Sequence, residues 1–310
     1  MREKLSIGGQ ALIEGVMIRS PEKLAMAARK PNGEIVVKVD DFIPVTKRKK
    51  ILGLPIIRGF ISFFEMLIVG IKALNWSAEV ALSEEKQEKK KGSDIYLFGT
   101  LVLALALGLL LFFYTPILLS TLLGFRNSPV IFNVVAGFIR AFLVVGYIVA
   151  ISFMKDIRRV FEYHGAEHKS VFAFEKEHDL SLETARRYPT LHPRCGTSFL
   201  LFVVVVSIIV FALSDSLFFV IFSRAQVVWE RFLTHLIFLP LVAGTSFEVL
   251  KLSDVYPNNP VLRLLSYPGL LLQKITTREP DDSQLEVALT ACRKSLEGVI
   301  PEEDYVKRDT

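Results

Sequence analysis

The chain has 310 residues, of which 51% are hydrophobic, and its mean hydropathy of +0.42 is too high for an ordinary soluble domain. Charged residues still make up 22% of the chain, so they must be segregated from the apolar segments. Two cysteines exclude a disulfide framework, and Lys and Arg beside anionic lipid explain the net charge of +5 without direct binding of nucleic acid.

The first 50 residues are predicted to form a small β-rich unit. Two β-prone runs flank a Pro-Asn-Gly turn signal that ends at Gly33, which predicts a hairpin. The preceding segment ALIEGVMIR is interpreted as a third strand. Glu14 and Arg19 in this region either line a site or are ordinary exposed charges, and the second interpretation is favoured.

An amphipathic helix is predicted next. Arg58, Glu65 and Lys72 recur every seven residues and therefore share one face. A charged row at depth in lipid is costly, so this helix is expected to be interfacial or re-entrant, with the row facing water or protein. The sequence SEEKQEKKKGSD that follows is typical of a solvated linker.

Four segments are predicted to cross a membrane, since a crossing takes about 20 mostly apolar residues. The fourth is the weakest, because His, Pro and Glu interrupt it. Arg140 in the second segment and Asp215 in the third are ionisable, which leaves an interhelical ion pair and a transport role as alternatives. The predicted spans are 95–119, 129–154, 198–222 and 231–252.

The distribution of Lys and Arg predicts the orientation. Of the 37 such residues, 17 precede the first span, eight lie between Lys155 and Arg194, and eight lie from Lys251 onward. The positive-inside rule then places both termini and the second connection in the cytoplasm. The predicted organisation is a cytosolic β-rich unit (1–50), an interfacial or re-entrant helix (51–80), a charged linker (81–94), transmembrane helices 1 and 2 (95–154), a cytosolic His-rich connection (155–197), transmembrane helices 3 and 4 (198–250) and a cytosolic C-terminal helical region (251–310).

The connection after the second span contains the motif His164-x-x-Glu167-His168, the H-x-x-E-H order of a class of zinc hydrolases. It is predicted to lie on a helix that continues the second span into the cytoplasm. His164 and His168 would then share a face, as two ligands of a divalent metal, most plausibly Zn²⁺, with Glu167 as the general base.

A second group of polar residues, HPRC, comes just before the third span. His192 and Cys195 are predicted to supply further zinc ligands, and Arg194 to stabilise an oxyanion or bind an anionic substrate. The alternative is a set of satisfied structural histidines. In enzymes with this motif a more distant glutamate usually completes the site, and Glu175 and Glu177 are judged too near.

The C-terminal region is predicted to contain a soluble helix. Ser283 and Glu286 are predicted to form its capping box. Cys292 is predicted to lie in the core rather than in a metal site. The apolar stripe of this helix is predicted to be Leu285, Leu289, Cys292, Leu296 and Val299.

Five segments, GGQALIEGVMIRSP, LPIIRGFISFFEMLIVGIKALNWSAE, EYHGAEHK, HPRCGTSF and YPGLLLQKITTREPDD, resemble the YqhQ-like family of bacterial membrane proteins. The resemblance covers nearly the whole chain and implies a multi-pass protein of the bacterial inner membrane. The family is of unknown function and carries the label of predicted metal-dependent enzymes.

The fold class predicted is an α-helical polytopic membrane protein with about four transmembrane helices, an interfacial or re-entrant amphipathic helix and a small cytosolic α+β portion. Two functions are compatible with it. One is a metal-dependent hydrolase acting on a membrane-associated peptide or amphiphile at the cytosolic surface. The other is a non-enzymatic factor of membrane-protein assembly or translocation, with a structural histidine or metal cluster that binds another membrane complex. A catalytic site needs an open ligand position, whereas four bound side chains would close it.

Overall fold

The computed structural model describes residues 7–82, 94–256, 258–301 and 305. The predicted charged linker falls almost wholly outside these residues. Single 3-10 turns lie at Lys50–Gly53 and Phe125–Asn127. In chain order the structure has strands β1 (Gly8–Leu12), β2 (Gly15–Arg19), β3 (Lys23–Arg29) and β4 (Ile35–Asp41), and helices α1 (Val45–Arg48), α2 (Ile57–Val80), α3 (Asp94–Leu109), α4 (Thr115–Leu122), α5 (Pro129–Ser152), α6 (Lys155–Glu177), α7 (Leu182–Arg187), α8 (Gly196–Phe222), α9 (Val228–Val255), α10 (Pro260–Thr276) and α11 (Asp282–Leu296).

The strands form one antiparallel sheet in the order β1-β2-β3-β4, with Gly8 opposite Arg19 in the first hairpin. The hairpin predicted around Gly33 is confirmed as β3 and β4. The single strand predicted over ALIEGVMIR is wrong, because the chain reverses at Glu14 and forms a second hairpin. Glu14 has a left-handed φ of 52°, a conformation that Glu rarely adopts, so the local sequence carries no turn signal.

The sheet is covered on both faces. Side chains alternate along a strand, so Met17 packs towards α2 whereas Val16 and Ile18 pack against α6 and α11. Burial on both faces explains why β2 and β3 are almost continuously apolar. The body therefore has three layers: α2, the sheet, and the pair α6 and α11. It lies at the end of the membrane helices where α5 is followed by α6 and where α8 begins.

Four helical segments are long and apolar enough to cross a membrane, as predicted: Gly99–Leu122, Pro129–Ser152, Gly196–Phe222 and Val228–Val255. Large apolar side chains remain exposed on their outer faces, which is the surface expected in contact with lipid. The fourth span starts at Val228, three residues earlier than predicted, and Arg231 is buried near its start.

The continuous helix predicted from the second span into the cytoplasm is wrong. Helix α5 ends at Ser152, Met154 is extended with a ψ of 132°, and α6 starts afresh at Lys155. Asp156 lies in the first turn of α6, where a carboxylate favours a helix N-terminus. The break separates the membrane helix from the helix that carries the His-x-x-Glu-His motif.

The two ionisable residues of the second and third spans have separate partners. Pro116 lacks an N–H group, and the helix passes through a π-helical turn at Leu110–Tyr114. Arg140 Nε donates to the carbonyl oxygen of Phe112 at 3.1 Å, the carbonyl that Pro116 would otherwise cap. Asp215 instead forms an interhelical ion pair with Arg231 at 2.9 Å.

Helix α2 packs against α9 and the sheet, and its charged row faces protein or water. Arg58 donates twice to Glu248 of the fourth span, at 2.7 and 2.5 Å. Glu65 accepts from the backbone N–H of Val45 at 2.9 Å, and Lys72 is exposed. Two members of the row, Arg58 and Glu65, are thus paired within the protein.

Helix α11 closes the soluble body. Its capping box pairs Asp281 with Gln284, so the pair Ser283 and Glu286 predicted for this role is wrong by two residues. The capping box lies two residues earlier because the helix starts at Asp282, so that Asp281 is its N-cap residue. Cys292 is buried in the core as predicted, and the stripe is buried at Leu285, Leu289, Cys292 and Leu296.

Candidate metal centre

Helix α6 presents His164 and His168 to the chain that returns from α10. A Cβ on Gly165 would collide with the carbonyl oxygen of Arg278, so only glycine allows this close approach. The Arg278 N–H donates to Phe161 of α6 at 2.9 Å. The segment that leaves α10 is thereby held directly against the two histidines.

Backbone carbonyls fix the orientation of both motif histidines. Nδ1 of His164 lies 2.8 Å from the carbonyl oxygen of Thr276, and Nδ1 of His168 contacts that of Thr190. A carbonyl oxygen only accepts, so Nδ1 is the protonated nitrogen in each ring and Nε2 keeps its lone pair. Protein metal sites commonly orient their histidine ligands in this way.

Cys195 completes a group of three ligands. It is the residue just before α8, and its Sγ lies 3.2 Å from Nε2 of His164. The ligand atoms of His164, His168 and Cys195 all lie within 4.8 Å of one another. Zinc bonds of about 2.0 Å to nitrogen and 2.3 Å to sulfur at a tetrahedral angle separate two nitrogens by about 3.3 Å and a nitrogen from a sulfur by about 3.5 Å, so the group fits a single ion.

His192 lies beside this group but not in it. Its ring centroid is 5.5 Å from that of His168, and its Nδ1 accepts from the backbone N–H of Arg194 at 3.3 Å. Gln273 of α10 holds the His192 backbone, accepting from its N–H at 2.8 Å and donating to its carbonyl at 2.9 Å. The structure thus brings three of the four predicted ligands together and sets the fourth alongside.

Glu167 is only 5% exposed, and its carboxylate lies 3.5 Å from Nε2 of His168. This is the position predicted for it, next to the ligand atoms and on the same helix. A carboxylate there can reach a molecule bound at the ligand atoms without being required as a ligand itself.

Glu175, judged too near in sequence to complete the site, is not in the group of three but lies beside His192. Its carboxylate accepts from Arg194 and lies 3.9 Å from Nε2 of His192. Burial raises the pKa of Glu175, but the neighbouring His192 and Arg194 outweigh burial and hold it below its ordinary value. Helical spacing could have predicted this position of Glu175, because His164, His168 and Glu175 lie at i, i+4 and i+11 on one face of α6.

A partly open cavity of about 440 Å³ leads to these residues. Its polar wall contains Arg19 of β2, which sequence reasoning had favoured as an ordinary exposed charge. Glu14, treated in the same way, lies outside the cavity and binds Arg159 and Tyr163 of α6. The other polar residues that line the cavity are Ser20, His164, Glu167, His168, His192, Arg194 and Cys195.

The fold and the cluster define a class, namely a multi-span membrane protein with a His/Cys group able to hold a metal ion where its soluble body meets its membrane helices. Residues 54–298 match the family described as "Protein of unknown function (DUF1385)". The chain is 33% identical over 306 residues to "Uncharacterized protein YqhQ" of Bacillus subtilis (strain 168), an alignment that covers 93% of this chain and 92% of that protein. The chain therefore belongs to the YqhQ-like, DUF1385 family, as the resemblance predicted. No solved structure matches it significantly.

Proposed function

We propose that this chain is a membrane-embedded, metal-dependent hydrolase. The observation that supports it best is the convergence of the Nε2 atoms of His164 and His168 and Sγ of Cys195 at a cavity wall that also holds Glu167. Three protein ligands with one open position are typical of catalytic zinc sites, whereas structural sites usually have four.

The donor set favours Zn²⁺. Two imidazole nitrogens and one thiolate suit this ion better than Mg²⁺ or Ca²⁺, which prefer oxygen. When bound at such a site, Zn²⁺ polarises a carbonyl or phosphoryl oxygen and lowers the pKa of a water molecule. Cys195 thus takes the place of the distant glutamate that completes other sites with this motif.

The chain's own residues would carry the proton and the charge. Glu167 would accept a proton from water as the hydroxyl group adds to the substrate, and would return it to the leaving group as the scissile bond breaks. Arg194 lines the cavity, and Glu175 and Asp254 hold its guanidinium in place. It would stabilise the negative oxygen that forms during the reaction.

The charge distribution of the sequence supports a location at the cytosolic face of the bacterial inner membrane, with both termini in the cytosol. Helix α8 follows Cys195 directly into the third span, so the cluster lies at the end of a membrane helix. A membrane-associated peptide or an amphiphile presented at that surface is the substrate class that such a position favours.

The alternative is a non-enzymatic assembly or translocation-associated factor in which the cluster is structural. That role calls for a closed ligand shell and for a second membrane complex as partner. Among the described residues, His192 is the candidate for that fourth ligand. Its Nδ1 accepts from the backbone N–H of Arg194, so the ring proton is on Nε2, the nitrogen nearer Glu175, and neither nitrogen has a free lone pair for a metal. This tautomer gives the structural alternative less support.

Replacement of Glu167 by Gln separates the two functions. A general base acts on water and substrate, so Glu167→Gln should keep its metal and its thermal stability while the rate falls on the order of 100- to 10,000-fold. In a structural site Glu167 would orient His168, and the same change should weaken metal binding about 10- to 100-fold.

The matched control is Glu177→Gln, on the same helix, where the carboxylate binds Tyr188 and does not line the cavity. The readouts are metal stoichiometry, thermal unfolding and complementation of a deletion strain. Full complementation by a stable, metal-loaded Glu167→Gln protein would rule out the hydrolase.

A further inference from the structure

Among the described residues, no acceptor lies within hydrogen-bond distance of the buried Nε2 of His192. The ring is 5% exposed, its Nδ1 accepts from an amide N–H, and the neutral ring therefore carries its proton on Nε2. Among the described residues Nε2 has no hydrogen-bond partner, since the Glu175 carboxylate is 3.9 Å away. A buried donor without an acceptor is costly, and here it lies in the wall of the cavity.

Arg19 brings a positive charge to the same cavity, and among the described residues it forms no ion pair, although the Glu65 carboxylate is close enough to act on its charge. Its guanidinium lies 3.3 Å from Sδ of Met66 and 4.5 Å from the ring centre of Phe42. Within the part of the chain that the structure describes, no carboxylate oxygen lies within 4.0 Å of it. Burial lowers the pKa of Arg19, yet an arginine retains its charge at neutral pH.

The start of α8 adds to the positive potential. Gly196, the first residue of this helix, lines the cavity, and a Cβ built on it would meet nothing within 4 Å. Helix N-termini favour anions. A guanidinium, an imidazole N–H and a helix N-terminus around one open space are together suited to an anion with several oxygens.

We propose that this cavity binds the phosphate group of an anionic amphiphile through Arg19 and His192, next to the three metal ligands. The proposal rests on the proposed function, since it names the substrate class of the same site. It also gives His192 the role of a substrate-binding donor instead of that of a zinc ligand.

The surroundings favour an amphiphile over a free phosphate ion. Apolar side chains also line the cavity, namely Met66, Val171 and Phe247. A second cavity of about 540 Å³ shares Arg194 with the first and runs along α10, where Leu264 and Tyr267 are 72% and 58% exposed. Acyl chains would lie along this apolar helix while the phosphate reached Arg19.

The test uses the full-length protein, stripped of metal, in a neutral detergent. The probes are dihexanoyl phosphatidic acid, uncharged dihexanoyl glycerol and inorganic phosphate, with binding followed by calorimetry. The phosphatidic acid should bind at least about 10-fold more tightly than either of the others, because only it offers both the charge and the chains. Equal affinity for inorganic phosphate would refute the preference for an amphiphile. No binding of either phosphate compound would refute the phosphate site itself.

Substitutions test whether Arg19 and His192 bind the phosphate group. Arg19→Gln and His192→Leu should each weaken binding of the phosphatidic acid about 10-fold or more, since each removes a hydrogen bond to a charged group. Arg19→Lys and His192→Gln keep a charge or an N–H donor and should recover part of the affinity. Arg29→Gln is the matched control, because it removes the same charge from the same sheet outside the cavity.

Metal analysis keeps this proposal separate from the hydrolase. His192→Leu should retain bound Zn²⁺, and His164→Ala should lose Zn²⁺ yet still bind the phosphatidic acid. Loss of zinc from His192→Leu to the same extent as from His164→Ala would make His192 a ligand and refute the role given to it here. Failure of the hydrolase in the Glu167→Gln experiment would leave the binding result unchanged.

Discussion

The two cysteines of the chain provide an internal comparison for the metal centre. Cys195 is 7% exposed and lines the cavity as one of three candidate ligands, whereas Cys292 is 0% exposed in the core of the body that packs around the sheet. Cys195→Ala should therefore abolish binding of zinc and leave the fold intact. Cys292→Ala should keep zinc and lower the free energy of unfolding by about 1 to 2 kcal/mol, as expected for a small buried side chain.

The same contrast can be measured with a thiol reagent on the native protein. Burial raises the pKa of the Cys292 thiol to about 12, so at pH 7 about one molecule in 10⁵ is a thiolate. This thiolate fraction is about 1,000-fold or more below the roughly 3% of an unperturbed reference thiol with a pKa near 8.5, and complete burial slows access of the reagent to Cys292 further. One thiol per chain should therefore react in the metal-free native protein, and mass spectrometry should locate it at Cys195.

Zinc should protect that thiol, because a coordinated sulfur is a poor nucleophile. The assay compares modification rates with and without one equivalent of Zn²⁺, with unfolded protein as the reference in which both thiols react. Equal rates for Cys195 and Cys292 in the native protein would contradict the burial on which the comparison rests. A Cys195 rate unchanged by zinc in a protein that retains zinc would remove Cys195 from the ligand set.

Three further predictions concern packing and orientation. Gly165→Ala should destabilise the fold by about 1 to 3 kcal/mol and weaken zinc binding, because its methyl group would displace the chain that orients His164, whereas Gly146→Ala meets nothing and should be tolerated. Asp215→Ala should lower the free energy of unfolding by about 3 to 5 kcal/mol, because it removes the carboxylate that pairs with the 2% exposed Arg231 and with His235; the double variant Asp215→Leu, Arg231→Met should recover part of that loss. A reporter fused after the last residue should be cytosolic, and an external signal would contradict the four-span orientation.

Much of the membrane architecture was accessible from local sequence. Apolar segments of span length predicted the four membrane helices, because lipid demands about 20 consecutive apolar residues whatever the tertiary packing. The motif residues His164, Glu167 and His168 were accessible for a similar reason, since helical periodicity alone places them together. The β3–β4 hairpin followed from its Asn-Gly turn signal.

Features that depend on neighbours distant in the chain were missed or left open. The turn at Glu14 and the extended Met154 are held by packing, and neither residue type signals such a backbone. Arg19 looked like a surface charge because nothing in the sequence of β2 shows that it will share a cavity with side chains of α6.

The composition of the metal centre divides along the same line. Local sequence supplied the candidate ligands, since histidine and cysteine are rare in this chain and cluster in one connection. The choice among them depends on contacts between distant segments. The carbonyls of Thr276 and Thr190 accept from Nδ1 of His164 and His168, which leaves Nε2 of both rings free to bind a metal. In His192 an amide N–H donates to Nδ1 instead, so Nε2 carries the proton. Tautomers are set by hydrogen-bond partners, and these partners come from segments that meet only in the folded chain.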